Sequence, residues 1–544
     1  MDESIEKIMD IAGKKNKYQI LIVTITFFCW FCFELLSVSL SFLEMMPFVS
    51  YTNSSGSKVE ERLNYDICQG KNYTIINYTN HSWVTEFGTE CNKNETGLIG
   101  TFVFFGVMLG ALIFQIIAEK LGRRFAILIA GVGFCCCMLV AQFAKYEYSI
   151  YYIYVLSVFL QIFSSIGNLG SYLLMNEVTS VDTRSVCGAL VQSAFSFSGT
   201  LFILLYYYIN SWRIPFIIAG LIALTNLILY SLLGFESPRY YLNKNMIHEF
   251  FLTLSKMSKF NGKEEEFDEF VTKNYNIIFP QNKIESDNLD IQTTPHINLL
   301  MNNEDYESKS SEMKQIIEKI KEQSEKKLEN QKFSSGPQYS CLSLLSYRSQ
   351  RLNFLIMCYM WFCTSGVYYG LTINIKNLPG NTYITGIIMF FVEALAYMLS
   401  GFLINIAFMG RKKTIFMFYC VSAIVYAVII IFKINNYWLT VLALLARFCV
   451  SGVYNIIYTY STEVYPTVVR SNGLGFNSVC GRVGGMLMPY LLEILSGSIT
   501  YLFFGLNLLA LVAVMILPET FGKTLADSIP EETSKVNQTE DVLN

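Results

Sequence analysis

The chain has 544 residues, 53% of them hydrophobic and 15% charged, with a mean hydropathy of +0.38 and a formal net charge of −3. That is more apolar surface than one soluble core can bury, so the composition excludes a water-soluble enzyme and makes lipid the expected solvent. The slight acidic excess gives no reason to expect a nucleic-acid partner.

In chain order, residues 1–18 form a polar N-terminus, and apolar runs follow at about 19–43, 97–118, 125–143, 149–174, 186–208 and 213–234. They resume at about 352–373, 383–408, 414–432, 438–460, 473–495 and 498–517. Each run approaches the roughly 20 residues that a helix needs to cross a hydrocarbon core of about 30 Å. The expected fold is therefore an all-α membrane protein of twelve transmembrane helices in two groups of six. Its domains would be a bundle at 19–235, a connector at 236–350, a second bundle at 351–517 and a tail at 518–544. The first run is too long for a signal-peptide core and reads as a retained first span.

Lysines 7, 14, 15 and 17 precede that span, Lys120, Arg123 and Arg124 fill the second connection, and Arg411, Lys412 and Lys413 fill the eighth. The positive-inside rule then puts these sites and both termini in the cytosol, in a protein expected at the plasma membrane. Residues 44–95 fall outside, where Asn53, Asn72, Asn77, Asn80 and Asn94 each open an N-x-S/T sequon. Cys68 and Cys91, the two cysteines of this loop, are expected to pair in an oxidising compartment. The other cysteines read as small buried apolar side chains.

The connector is polar, with KEEEFDEF at 263–270 and a charged series at 311–332. Ile316, Ile317 and Ile320 at near-helical spacing admit a surface helix there, and disorder is the other reading.

The two halves carry the same punctuation in the same order. GRR at 122–124 is followed by Glu177, Arg184 and Glu236; GRK at 410–412 is followed by Glu463, Arg470 and Glu519. Each mark sits at a predicted cytosolic helix end, where guanidinium and carboxylate pair without entering lipid. We expect Glu119, Arg123, Arg124, Glu177, Arg184, Glu236 and Arg239 in the first half, with Arg411, Glu463, Arg470 and Glu519 in the second, to gate the halves. Plain topology determination is the alternative. Glu119 stands three residues before Gly122, whereas Ala407 stands before Gly410, so the second set is expected to be the weaker latch.

Two six-span repeats marked in this way resemble the major facilitator superfamily. WVTEFGTEC at 83–91, ESPRYY at 236–241, WFCTSGVYYGL at 361–371 and EVYPTVVRSNG at 463–473 resemble the organic ion transporters of solute carrier family 22. The resemblance covers both halves and the first loop, departs in the expanded connector, and finds two loop cysteines where the family carries more. It implies alternating access around a central cavity for small organic cations, anions or zwitterions.

Few charges lie at mid-depth. At about 1.5 Å per residue, Glu393 and Arg482 both approach the bilayer midplane, where an ionisable residue costs on the order of 3 kcal/mol and faces a cavity or a partner. The alternative to a cavity role is a structural ion pair, for which these two residues are one candidate pairing. Glu34 and Arg447 are lesser candidates. Arg482 lies twelve residues after Arg470, an offset at which the resemblance implies Asp in cation carriers and Arg in anion and carnitine carriers. A guanidinium there would hold a carboxylate, and Glu393 could receive an ammonium group. Trp361, Tyr368, Tyr369, Tyr454 and Tyr458 fall on spans that border the cavity in that family, and their faces suit a quaternary ammonium.

The sequence holds no G-x-x-x-x-G-K-S/T or H-E-x-x-H motif, and His81, His248 and His296 all lie outside the spans. No enzyme activity, cofactor or metal is expected; the expected partners are a small organic ion, a coupling ion and the bilayer, around a monomeric transport unit. A sugar porter and a non-transporting sensor on the same scaffold are the competing readings.

Overall fold

The computed structural model describes residues 16–52, 58–63, 67–68, 73–77, 82–145, 149–244, 246–267, 270, 348–406, 408–465, 467–495 and 497–521. The expected segment at 311–332, Lys7, Lys14 and Lys15, and Asn53, Asn72 and Asn80 lie outside them.

The first half comprises α1 (Lys17–Phe33), α2 (Leu35–Leu43), α4 (Lys93–Lys120), α5 (Arg123–Ala141), α6 (Tyr151–Val178), α7 (Val181–Ile209) and α8 (Arg213–Leu233), with α1 and α2 together making one span. A small helix α3 (Trp83–Glu86) precedes α4, and α9 (Pro238–Asn243) and α10 (Ile247–Asn261) follow α8. The second half comprises α11 (Arg348–Asn374), α12 (Thr382–Leu403), α13 (Gly410–Phe432), α14 (Tyr437–Val464), α15 (Thr467–Ile494) and α16 (Ile499–Ile516). Among the described residues, eleven spans are long and apolar enough to cross a membrane; α15, with 28 residues, is as long but carries Arg470, Arg482 and Glu493. The chain is a multi-pass membrane protein.

Several helices extend past their apolar runs. Asn92 caps α4, its side chain accepting from the Asn94 and Glu95 backbone at 3.2 and 3.3 Å, and Asn381 and Asn436 cap α12 and α14 in the same way. These side chains satisfy N–H groups that a helix start leaves unpaired. Large side chains such as Leu232, Phe391, Met398 and Phe408 are more than 60% exposed on the bundle's outside, where lipid replaces water as their neighbour.

The loop between α2 and α3 folds into a small antiparallel sheet that the sequence reading did not anticipate. Strands β1 (Phe48–Thr52), β2 (Lys58–Arg62) and β3 (Tyr73–Asn77) lie in the order β2-β1-β3, with a register irregularity at Phe48/Val49. Val49, Tyr51, Leu63 and Ile67 form its own core. A Cys68–Cys91 disulfide joins this region to the start of α4. Asn77 lies in β3, and Asn94 is exposed at the start of α4. We call this the sheet end of the bundle, and the opposite one the arginine end.

The halves meet chiefly through α4 against α15 and α7 against α12. Near the sheet end the α4–α15 approach is close: a Cβ added at Gly100 would sit 2.7 Å from Pro489 Cγ, and one at Gly97 would sit 3.1 Å from Tyr490 Cα. Within the second half, α15 also packs tightly on α11. A Cβ at Gly481 would lie 3.1 Å from the Trp361 ring, and one at Gly485 3.0 Å from Tyr369. These glycines bring the faces carrying Arg482 and the α11 aromatics together.

Candidate functional site

At the arginine end the two halves build the same cluster twice. Gly122, with φ +93°, starts α5, and Gly410, with φ +64°, starts α13. Glu236 accepts from the Arg123 and Arg124 backbone N–H groups at 2.9 Å each; Glu519 accepts from those of Arg411 and Lys412 at 3.0 and 3.2 Å. A carboxylate at a helix N-terminus satisfies unpaired donors and the helix dipole together. Burial raises the Glu236 carboxyl above its ordinary range, and the backbone donors oppose that rise.

The arginine side chains then turn to the next mark. Arg123 donates to Glu177 at 2.9 Å and lies over the Tyr240 ring; Arg411 donates twice to Glu463, at 2.9 and 3.1 Å, and lies over Phe521. Thr520 occupies the second Glu463 oxygen, whereas Glu177 Oε2 is buried without a hydrogen bond. The second cluster is thus the more fully bonded, whereas the expectation drawn from Glu119 made it the weaker; Glu119 is exposed and forms no ion pair among the described residues. Arg239 is partly buried on α9 and has interactions of its own. Arg184 and Arg470 belong to α7 and α15, with side chains outside the described residues. Both salt bridges close inside one half.

At mid-depth Glu393 and Arg482 are not partners. Glu393 is fully buried; Arg447 donates to one of its oxygens at 2.7 Å, and the Tyr368 and Tyr397 hydroxyls donate to the other at 2.5 and 2.8 Å. Arg447 also donates to Thr372 at 2.8 Å and to the Tyr368 carbonyl, with its guanidinium 3.6 Å above the Tyr368 ring. A carboxylate so occupied offers nothing to an ammonium group. The ammonium role expected for Glu393 therefore finds no support in its geometry, and Arg447, ranked below it, is the residue that satisfies it.

Arg482 is different. It lies deep in α15 yet remains partly exposed, with no hydrogen bond or ion pair among the described residues. Its electrostatic neighbours are Tyr454, Tyr369, Tyr458 and Glu34. Tyr368 stacks on Tyr454 at 4.8 Å, and Trp361 meets Tyr458 edge-on at 4.6 Å. The Trp361 indole donates to Ser461 at 2.8 Å, which fixes the ring. Tyr454 and Tyr458 are partly exposed, whereas Trp361, Tyr368 and Tyr369 are buried behind them. Glu34, at the break between α1 and α2, is also partly exposed and accepts from Asn168 at 2.7 Å. A free guanidinium from the second half and a carboxylate from the first thus share an aromatic-walled space.

At the sheet end, Lys376 follows α11 and reaches Glu44 at 2.8 Å and Glu493 at 2.6 Å, all three side chains being almost completely buried. Glu44 belongs to the first half and Glu493 to the second, so Lys376 ties the halves together. Arg62 of β2 donates to the Lys376 carbonyl at 2.9 Å and to Thr382 at 3.3 Å. On the other side, Glu86 of α3 pairs with Arg213 and accepts from the Trp212 indole at 2.8 Å. The loop is therefore anchored on both halves.

The Major Facilitator Superfamily profile matches residues 67–489 and 382–538. The chain belongs to the major facilitator superfamily. It is 29% identical to an organic cation transporter protein of Drosophila melanogaster, over 87% of this chain and 80% of that protein. It is 26% identical to solute carrier family 22 member 15-like of Xenopus tropicalis, over 82% and 81%. With rat solute carrier family 22 member 6 the identity is 25%, over 90% and 79%. The inward-open xylose transporter XylE from E. coli superposes with a TM-score of 0.57 at 13% identity, covering 95% of this chain and 98% of that one. That identity speaks for the fold alone.

In this major facilitator protein the sequence reading gathered the Arg482 surroundings and both arginine clusters but missed Lys376, Glu44 and Tyr397. A lysine just past an apolar run reads as an interfacial anchor, and Glu44 reads as the first residue of a loop. The available signal was that two oppositely charged residues flank spans one and seven, which are equivalent in the repeat.

Proposed function

We propose that the chain is a secondary transporter of small organic ions that carry a carboxylate, with a carnitine-like zwitterion as the best-suited form. The observation that carries this is Arg482: a guanidinium deep in the bundle with no hydrogen bond or ion pair among the described residues is costly unless a ligand or water completes it. A carboxylate fits it bidentately. Glu34 and the exposed faces of Tyr454 and Tyr458 would receive the ammonium end, so the ligand would bridge the two halves. The name of one relative, an organic cation transporter protein, supports a small organic ion as the substrate and says nothing of a carboxylate. A sugar porter would leave a guanidinium in its cavity without an anion to bind.

In this reading the arginine end faces the cytosol and the sheet end faces outward at the plasma membrane. The sequons, the disulfide and the basic connections support that orientation. The monomer is the transport unit.

The test is uptake of a labelled quaternary cation, a dicarboxylate and carnitine in a null-background cell. Carnitine or the dicarboxylate should enter through wild type, and Arg482→Asp should lower that uptake at least about 100-fold, the effect of losing a desolvated charge partner. Glu34→Gln should weaken carnitine more than the dicarboxylate. Entry of the cation alone, unaffected by Arg482→Asp, would overturn the reading.

A further inference from the structure

The Glu44–Lys376–Glu493 cluster has a composition that a simple latch does not need. One ammonium is divided between two carboxylates, and it stands nearer to Glu493, at 2.6 Å, than to Glu44, at 2.8 Å. Glu493 has a further interaction besides Lys376. Glu44 uses only Oε2 for the lysine; Oε1 is buried with no hydrogen-bond partner, in a residue of 0% exposure. An ionised carboxylate half-satisfied in such a place pays a large desolvation penalty, and a proton on the idle oxygen removes it without displacing Lys376.

The groups around Glu44 do not supply a second cation. The end of α11 offers Lys376, α15 offers Glu493, and α4 offers the Gly100 backbone. The α6 residue Tyr154 feels Glu44 but donates its hydroxyl to the Glu95 carbonyl at 2.8 Å. The Arg62 guanidinium of β2 donates to the Lys376 carbonyl, Thr382 and Met45 Sδ, and makes no ion pair with Glu44 among the described residues.

We propose that Glu44 is a proton-binding site built into the contact between the halves, so that closing the sheet end takes up one proton and opening it releases that proton to the same side. Glu44 comes from the first half, while Lys376 and Glu493 come from the second, so the buried environment exists only when the end is closed. Opening returns Glu44 to water and to the ordinary carboxylate range. Burial pushes the Glu44 carboxyl, just beyond the first span, up to about 7 in the closed arrangement, with Lys376 opposing that rise.

The sign follows from linkage. The closed state binds the proton more tightly, so closure is favoured as pH falls and is lost as pH rises through the closed-state value. Between the two values, the closed-to-open ratio changes about tenfold per pH unit for one proton. The proton is the second ligand of the cycle, and its site is separate from the Arg482 space. The assignment does not depend on which organic ion is carried.

The experiment is a distance measurement on the full chain in lipid nanodiscs, without substrate. Spin labels on non-natural residues replace the exposed Lys145 and Lys433, one at the sheet end of each half. In wild type the short-distance population should grow about tenfold per pH unit on acidification below about pH 7. Glu44→Gln, which mimics the protonated form, should stay closed at every pH. Glu493→Gln leaves Lys376 to Glu44 alone and should move the transition to lower pH. A wild-type distribution that does not change with pH, or a Glu44→Gln protein that titrates as wild type does, overturns the proposal.

Discussion

The two ends of the bundle use buried charge in opposite ways. At the arginine end, Arg123–Glu177 and Arg411–Glu463 each close within one half, with Glu236 and Glu519 capping the helix that carries the arginine. At the sheet end, Lys376 joins a carboxylate of its own half to one of the other. Charge inside a half makes that half a rigid body, whereas charge between halves sets which arrangement of the bodies is preferred. Of the residues expected from sequence to gate the molecule, Arg123, Glu177, Glu236, Arg411, Glu463 and Glu519 therefore hold each half together in this structure, and among the described residues the ion cluster that spans the halves lies at the opposite end.

The largest effect should come from Lys376→Met, which leaves Glu44 and Glu493 buried without their shared cation. Breaking a buried pair in this way costs about 3–5 kcal/mol. The short-distance population across the sheet end should collapse at neutral pH, while thermal unfolding of the halves changes little. A sheet end that stays closed would break the contrast. Next comes Arg411→Ala, expected to lower unfolding stability by about 2–4 kcal/mol in a detergent melt and to leave the distance across the sheet end unchanged. Arg123→Ala should cost less, because Glu177 accepts one bond from its arginine where Glu463 accepts two.

Gly122→Ala and Gly410→Ala should each cost roughly 1–3 kcal/mol from backbone strain, again without moving the halves. Both have positive φ, and an added Cβ would lie 2.9 Å from Glu236 Cδ or 2.8 Å from Glu519 Cδ. The smallest effect belongs to Arg62→Ala. Losing its bonds to the Lys376 carbonyl and Thr382 should cost about 1 kcal/mol, seen as a modest widening of the distance distribution. An effect as large as that of Lys376→Met would make the loop, and not the ion cluster, the element that holds the end closed.

The spans were legible because a lipid-crossing helix must be apolar for its whole length, whatever its neighbours. Their polar extensions were not: α4 begins at Lys93 and α7 at Val181, each several residues before its apolar run. The sheet escaped because its five-residue strands sit in a loop too polar to show a pattern. Arg482 was legible from depth and from the resemblance together. Glu393 was found by the same depth argument, but its partner was not. Depth says how far along a helix a charge lies, and the partner depends on which way the side chain faces, here toward α14 and Arg447. Lys376 was hidden by the opposite error, since it lies where a lysine is commonplace.

The carboxylate caps have a consequence for how the protein is made. The backbone donors of Arg123 wait for Glu236, 113 positions later in the chain, and those of Arg411 wait for Glu519, 108 positions later. In both halves the start of the third span is completed only by a residue that follows the sixth. During synthesis the first bundle can therefore seal itself as soon as Glu236 emerges, before any of the second bundle exists. The duplicated motif lets each half close on residues of its own.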